Sequence, residues 1–168
     1  MKNLDFEAIY EEHFHTIYKY IRLMVSHAQL AEDLTQETFV RLLKGNFRNE
    51  AHIQTFIRQI ARNLVIDHYR KKALIQWLPF MQEHEQHDFT YTPHDWLAQN
   101  EMRQELYEAL QQLKPLQREI LIFRKIEELS IEETSLITGL SITKIANTQR
   151  SAMKKLQQLL GGEWHESP

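Results

Sequence analysis

Between residues 6 and 25 apolar side chains return at steps of three and four: Phe6, Ile9, Tyr10, Phe14, Ile17, Ile21, Met24 and Val25. That period places them on one stripe of a helix, and a chain made of such segments must bury stripe against stripe. The spacing predicts a first helix over 5–26. A second is predicted over 29–43, with Leu30, Leu34, Leu42 and Leu43 for burial and with Asp33, Gln36, Glu37, Val40 and Arg41 on another stripe; Gly45 and Asn46 end it. A third, over 52–72, carries Phe56, Ile57, Ile60, Ala61, Leu64, Val65 and His68 at helical spacing. Glycine and proline number four each, and no alternating β pattern bounded by turns occurs, so the expected class is all-α. There is no repeat of solenoid length and no low-complexity run.

From 73 to 93 the periodicity fails, and Glu83, Glu85, Asp88 and then Asp95 make the segment acidic. It reads as a flexible linker, though Trp77, Leu78, Phe80, Phe89, Tyr91 and Trp96 are too apolar to stay solvated without a docking surface. A second lobe begins near 95 with a helix carrying Trp96, Leu97, Met102, Leu106, Ala109, Leu110 and Leu113. It stops before Pro115, which opens the next helix, over 116–127. Ser130 with Glu133 forms a capping box for a helix over 131–138; Gly139 supplies a left-handed turn; Ser141 caps a last helix from 142 to about 160. Two small helical domains are therefore expected, at 1–73 and 95–163, joined by the linker at 74–94.

Within 131–153, small Ser135, Gly139 four residues on and apolar Ile145 six beyond that have the spacing of a helix-turn-helix. The following helix holds Lys144, Arg150, Lys154 and Lys155 and no acid, with Asn147, Thr148 and Gln149 as neutral hydrogen-bonding groups. Such a face pairs phosphates and reads base edges, although the same pattern also closes an ordinary helical bundle. The third helix is basic at its far end, with Arg58, Arg62, Arg70, Lys71 and Lys72 against Asp67, interleaved with Phe56, His68 and Tyr69. Cations and aromatic rings on one helix fit single-stranded nucleic acid. The net charge of −3 is no obstacle, because the charges are segregated along the chain.

The function classes this excludes are broad. With no cysteine there are no disulfides, thiolate metal sites or thiol nucleophiles, which fits the cytoplasm. The start carries Asp5, Glu7, Glu11 and Glu12 where a signal peptide has a basic, apolar run, and no stretch is apolar enough for direct membrane insertion. His84-Glu85-Gln86-His87 and His13-Phe14-His15 lack the spacing of a zinc ligand set, so no metal is expected. Neither a glycine-rich phosphate loop nor a nucleophile elbow is present; no catalytic residue and no cofactor are expected.

Three runs carry a family resemblance. Ala31-Glu32-Asp33-Leu34-Thr35-Gln36-Glu37-Thr38-Phe39-Val40-Arg41-Leu42 resembles the core-polymerase-binding segment of sigma region 2. Ile57-Arg58-Gln59-Ile60-Ala61-Arg62-Asn63-Leu64-Val65-Ile66-Asp67-His68-Tyr69-Arg70-Lys71 resembles its −10-reading helix, and residues 113–156 resemble region 4. The three stand in the order and at the spacing of the extracytoplasmic-function group of the sigma-70 family, and the pattern is most similar to the sigma-X-like members of bacilli. The resemblance implies a sigma factor that binds core RNA polymerase, through the β′ clamp helices and the β flap, and directs initiation at promoter DNA. It implies polymerase contacts at Asp33, Gln36, Glu37 and Phe39, where a solvated face or, for Phe39, a core position is the alternative. It implies −10 contacts at Asn46, Phe56, Arg58, Arg62, Asn63, Tyr69, Arg70 and Lys71, with Phe56 and Tyr69 equally suited to a core. It implies −35 contacts at Ser141, Thr143, Lys144, Asn147, Thr148, Arg150 and Lys154.

Relatives often carry basic residues where Ala146, Thr148, Ser151 and Met153 stand here, so phosphate pairing by this helix is expected to be sparse. The resemblance also implies a membrane-anchored anti-sigma factor wrapping the two lobes. Charge segregation adds the expectation that the acidic linker docks on the basic lobes and masks DNA contacts. The competing reading is a free-standing helix-turn-helix regulator, dimeric on spaced half-sites, with the first three helices for dimerisation or sensing. A third reading, a protein-binding helical adaptor, leaves the cationic helix ends unemployed.

Overall fold

The computed structural model describes residues 5–45, 52–76 and 95–161. Within them the α-helices are, in order, α1 Phe6–Met24, α2 Ala28–Lys44, α3 Ile53–Gln76, α4 Glu101–Gln111, α5 Pro115–Leu121, α6 Ile131–Thr138 and α7 Ile142–Leu159. They fall into two compact units, Met1–Thr90 and Tyr91–Pro168.

In the first unit α1, α2 and α3 pack on one another. Asp5 starts α1, its Oδ1 accepting from the Ala8 amide at 3.2 Å. Ile17, Tyr20, Ile21, Leu23 and Met24 are buried along α1, and so are His13 and Arg22, which apolar periodicity does not find. The inner stripe of α2 departs from expectation. Ala31, Thr35, Thr38, Phe39 and Leu42 are buried, whereas Leu30 and Leu34 are half-buried and Leu43 is 63% exposed. The two threonines suit an interior because each hydroxyl donates to the carbonyl one turn back: Thr35 to Ala31 at 2.6 Å and Thr38 to Leu34 at 2.8 Å. Leu43 lies one residue, about 100° of helix, beyond Leu42 and so faces water. Phe39 is 1% exposed, inside a cluster with Tyr10, Phe14 and Phe6 at ring-centroid distances of 4.9, 6.1 and 6.5 Å.

Ile57, Ala61, Leu64 and Val65 form the inner stripe of α3. This helix continues to Gln76, past the expected end at 72, because Ala73, Leu74, Ile75 and Gln76 include no breaker. The expected domain limit at 73 therefore falls inside a helix. The expected loop at 46–50, linker residues 77–94 and the docking assigned to them lie outside the described residues.

The second unit opens with a 3-10 turn, Trp96–Gln99, capped by Asp95. The single helix expected through 95–113 is broken after it, because Asn100 is extended and its Oδ1 accepts from the amides of Met102 and Arg103 at 2.8 and 3.3 Å, starting α4 afresh. Met102, expected in the core, is 74% exposed at that first turn. Pro115 starts α5 as expected, and the helix widens into a π turn over Ile122–Ile126 before the chain reverses. Arg118 is buried and closes the end of α4: its Nε donates to Leu110 O at 2.8 Å and its Nη2 to Gln111 O at 3.3 Å and Leu113 O at 3.2 Å. The reciprocal capping box of Ser130 and Glu133 starts α6, Gly139 ends it at φ 72°, and Ser141 Oγ caps α7.

His13 and Arg118 are buried, and His68 is half-buried. Burial pushes the imidazoles of His13 and His68 below their usual 6.5; Arg58 reinforces this at His13 against Glu12, and Lys72, His27 and Lys71 reinforce it at His68. The unfolded chain then takes up protons first, so this stability is present above pH 6.5 and declines as pH falls below it. Thermal unfolding of the first unit is expected at a lower temperature near pH 5.5 than near pH 7.5, with the difference reduced in His13→Gln/His68→Gln. Arg118→Met is expected to lower the stability of the second unit by about 3 kcal/mol in denaturant titrations, since three carbonyls lose a charged donor.

Candidate nucleic-acid interface

In α7 the inner stripe is Ile145, Gln149, Ala152 and Leu156, at steps of four, three and four. Ile145, Ala152 and Leu156 are at most 3% exposed. The opposite side carries Thr143, Lys144, Asn147, Arg150 and Lys154, all exposed, with Thr148 half-buried beside them. Ser141 is exposed too, but its Oγ is engaged by the Lys144 amide at 3.1 Å. Arg150 Nη1 approaches Asn147 Oδ1 at 3.5 Å, so two of the expected base- and phosphate-facing groups are neighbours. The outward face has cations and amides and no carboxylate, which suits a duplex groove.

One residue of this helix does not serve as expected, and another has a reason to lack the charge that relatives carry. Gln149 is not an outward reader: it is the polar member of the inner stripe, and its Oε1 accepts from Arg124 Nε at 3.0 Å. Met153, counted where relatives often have a cation, is 7% exposed and belongs to the core. The helix-turn-helix spacing itself is realised. Ile145 is 0% exposed, and Ser135 Oγ donates to Leu140 O at 2.7 Å across the turn.

In α3, Asn63, Arg70 and Lys71 are exposed, and Arg62 and Phe56 are half-buried. Arg58 differs from expectation: its side chain is 7% exposed and Nη1 donates to Gln54 O at 3.2 Å, so in this structure it is a packing residue. Tyr69 packs as well, its hydroxyl donating to Met24 O and tying α3 to the end of α1. Burial first, and then the charges of Lys72, His27 and Lys71, oppose protonation of His68 at this end of α3. Asn46 lies outside the described residues.

On α2, Asp33, Gln36 and Glu37 are exposed together with Val40, 39% exposed, and Arg41. Two of their present partners are on α2 and one is on α1: Gln29 donates to Asp33 at 3.0 Å, Arg41 pairs with Glu37 at 3.1 Å, and Gln36 donates to Tyr10 Oη at 3.3 Å. Such exposed pairs contribute little and exchange readily for a partner's groups. Phe39 takes its alternative, the core, and acts on this face only by supporting the helix behind it. Sequence reasoning missed Leu43 on the same exposed side and Arg124 behind α7; nothing in the sequence distinguishes either from its neighbours.

Among the described residues, no helix is long and apolar enough to cross a membrane, and no group of three acidic or histidine side chains is placed to hold a metal ion.

Comparison with known proteins places these surfaces in a family. Residues 9–75 match sigma-70 region 2 and residues 103–156 match sigma-70 region 4. The RNA polymerase sigma factor YlaC of Bacillus subtilis (strain 168) is 31% identical over 162 residues, covering 94% of each chain. The ECF RNA polymerase sigma factor SigX of the same organism is 29% identical over 163 residues, covering 91% of this chain and 82% of SigX. In fold, the chain is similar to the sigma factor RpoE from Bartonella quintana, solved in complex with the anti-sigma factor NepR, with a TM-score of 0.78 at 22% identity over 95% of this chain and 99% of that one. With both regions present in order, and α7 offering a carboxylate-free outward face in the second, the chain belongs to the extracytoplasmic-function group of the sigma-70 family of RNA polymerase sigma factors.

Proposed function

We propose that this chain is a promoter-recognition subunit that joins core RNA polymerase through α2, holds the melted −10 strand along α3 and reads the −35 duplex with α7. The observation that carries the reading is the joint presence of a sigma-70 region 2 match and a sigma-70 region 4 match in one chain. The polymerase supplies the chemistry, and this chain supplies binding and orientation in the cytoplasm. Residues 1–76, with the first limit moved from 73 to the end of α3, and 95–163 act as the two binding domains and 77–94 as their linker.

On α2 the contact to the β′ clamp helices falls to Asp33, Gln36 and Glu37, with Phe39 beneath them. On α3 the strand contacts fall to Arg62, Asn63, Arg70 and Lys71 together with Phe56; Arg58 and Tyr69 brace the helix, and Asn46, outside the described residues, is assigned to the same strand by the resemblance. On α7 they fall to Ser141, Thr143, Lys144, Asn147, Thr148, Arg150 and Lys154, while the second unit also meets the β flap. The likeness in fold to RpoE, solved in complex with the anti-sigma factor NepR, supports an anti-sigma partner for this chain; that the partner is membrane-anchored is what the family resemblance implies. Placement among sigma-X-like members rests on the likeness to SigX, with that to YlaC of similar strength. The region 2 match disfavours a free-standing regulator, which has no use for that unit.

Co-elution with core RNA polymerase on a sizing column tests the reading. The chain is expected to co-elute, and Asp33→Ala/Gln36→Ala to weaken the complex about tenfold, as loss of one or two charge-assisted contacts does. A folded chain that stays separate from cognate core sinks the proposal. Lys144, Arg150, Lys154 and half-buried Lys155 are the cations of α7. The upstream contribution to the slope of log affinity against log salt is therefore expected to be no steeper than about −4, and a steeper one contradicts the assignment.

A further inference from the structure

The α5–α7 contact is largely apolar, with Ile120, Leu121, Ile145, Ala152 and Leu156 all buried. Apolar faces favour contact but do not by themselves select one rotation of a helix about its axis, because burial is non-directional. Direction comes from polar links, and among the described residues two reach α7, at positions two residues and about 200° of helix apart. Gln117 Nε2 donates to Ser151 Oγ at 3.3 Å on the exposed side. Behind it, half-buried Arg124 donates from Nε to Gln149 Oε1 at 3.0 Å and from Nη1 to Leu129 O at 2.6 Å.

The second link joins three elements. Arg124 lies in the π turn over Ile122–Ile126; Leu129 immediately precedes Ser130, the cap of α6; Gln149 is in the middle of α7. The wide turn reverses the chain, with Leu129 N donating to Phe123 O at 2.8 Å, and brings the Leu129 carbonyl within reach of the guanidinium. A guanidinium is a rigid planar fork, so both bonds at these distances fix the direction to Gln149 relative to the start of α6. A π turn that carries such a group is the kind of local irregularity found at functional positions.

We infer that Arg124 is a positioning residue for DNA recognition: through Gln149 it sets the rotation of α7, and hence the aim of Asn147, Arg150 and Lys154. The inference rests on the proposed reading of duplex DNA by α7. A helix with side chains has a radius of about 5–6 Å, so a rotation of about 20° moves the outer groups by roughly 2 Å. That displacement breaks hydrogen bonds to base edges, whose geometry is narrow, while long lysine chains still reach phosphates. Loss of Arg124 should therefore remove sequence discrimination and spare the electrostatic part of binding.

The test uses holoenzyme assembled from the full chain and core RNA polymerase. Promoter duplexes are first selected from a pool randomised over the upstream element, and affinity for the selected upstream sequence is compared with that for a scrambled one. Arg124→Met is expected to lower this ratio about fivefold or more, the size of one hydrogen bond lost at a base, with the salt slope unchanged. Gln149→Met should do the same, the double variant should be no worse than either single one, and Arg124→Lys, with one donor point in place of a fork, should fall between. A ratio within about twofold of wild type for Arg124→Met overturns the inference, as does a joint fall of ratio and salt slope, which reports a detached helix. Should Arg124→Met fail to fold, the ratio for Arg124→Lys decides: an unchanged ratio overturns the inference, a lowered one at constant slope upholds it. Arg150→Ala separates this from the underlying reading. If it leaves the ratio unchanged, α7 is not the reading helix and both fall; if it lowers the ratio while Arg124→Met does not, only the positioning role falls.

Discussion

A helix that reads a ligand on one side can do so only while its other side is held, and in α7 that hold is the burial of Ile145, Ala152 and Leu156. The 3.6-residue period then leaves Thr143, Asn147, Arg150 and Lys154 facing out without any further instruction. The same division of labour governs the first unit. Burial of Ile57, Ala61, Leu64 and Val65 leaves Asn63, Arg70 and Lys71 on the outer side of α3, and burial of Thr35, Thr38, Phe39 and Leu42 leaves Asp33, Gln36 and Glu37 on the outer side of α2. Each proposed recognition surface is the complement of a core stripe.

Buried and half-buried polar groups do the directional work that apolar contact cannot. Arg118 collects three carbonyls around the α4–α5 turn, Tyr69 joins α3 to the end of α1, and Arg124 links the π turn, the start of α6 and the middle of α7. All three hydrogen-bond to backbone carbonyls near helix ends or turns. Carbonyls at helix ends and turns have capacity that the helix itself does not use, so each bond stabilises the fold and orients an element at once.

The helices of both units were legible where local chemistry and apolar period agree. Pro115, the Ser130–Glu133 box, Gly139 and Ser141 mark their elements in sequence as they do in the structure. Expectation failed where two residue types compete for one place. Leu43 has the apolar character of a core residue, yet threonines that satisfy their own hydroxyls occupy the inner stripe of α2. Asn100 reads as an ordinary helical position until its side chain caps the next turn. Of the candidate site, the outward face of α7 followed from spacing and charge; Arg58, Phe39 and Gln149 did not, because an arginine, a phenylalanine or a glutamine at helical spacing serves a core and a surface equally well until its neighbours are known.

The central claim is that two small helical units act together as the promoter-reading part of a polymerase. Run-off transcription addresses it most directly: core RNA polymerase on linear templates carrying the selected promoter, with and without the full chain. The account predicts a discrete product of defined start only when the chain is present, lost on scrambling either promoter element. Equal transcription with and without the chain, together with polymerase-independent binding of the chain as a dimer to duplex half-sites, would contradict it.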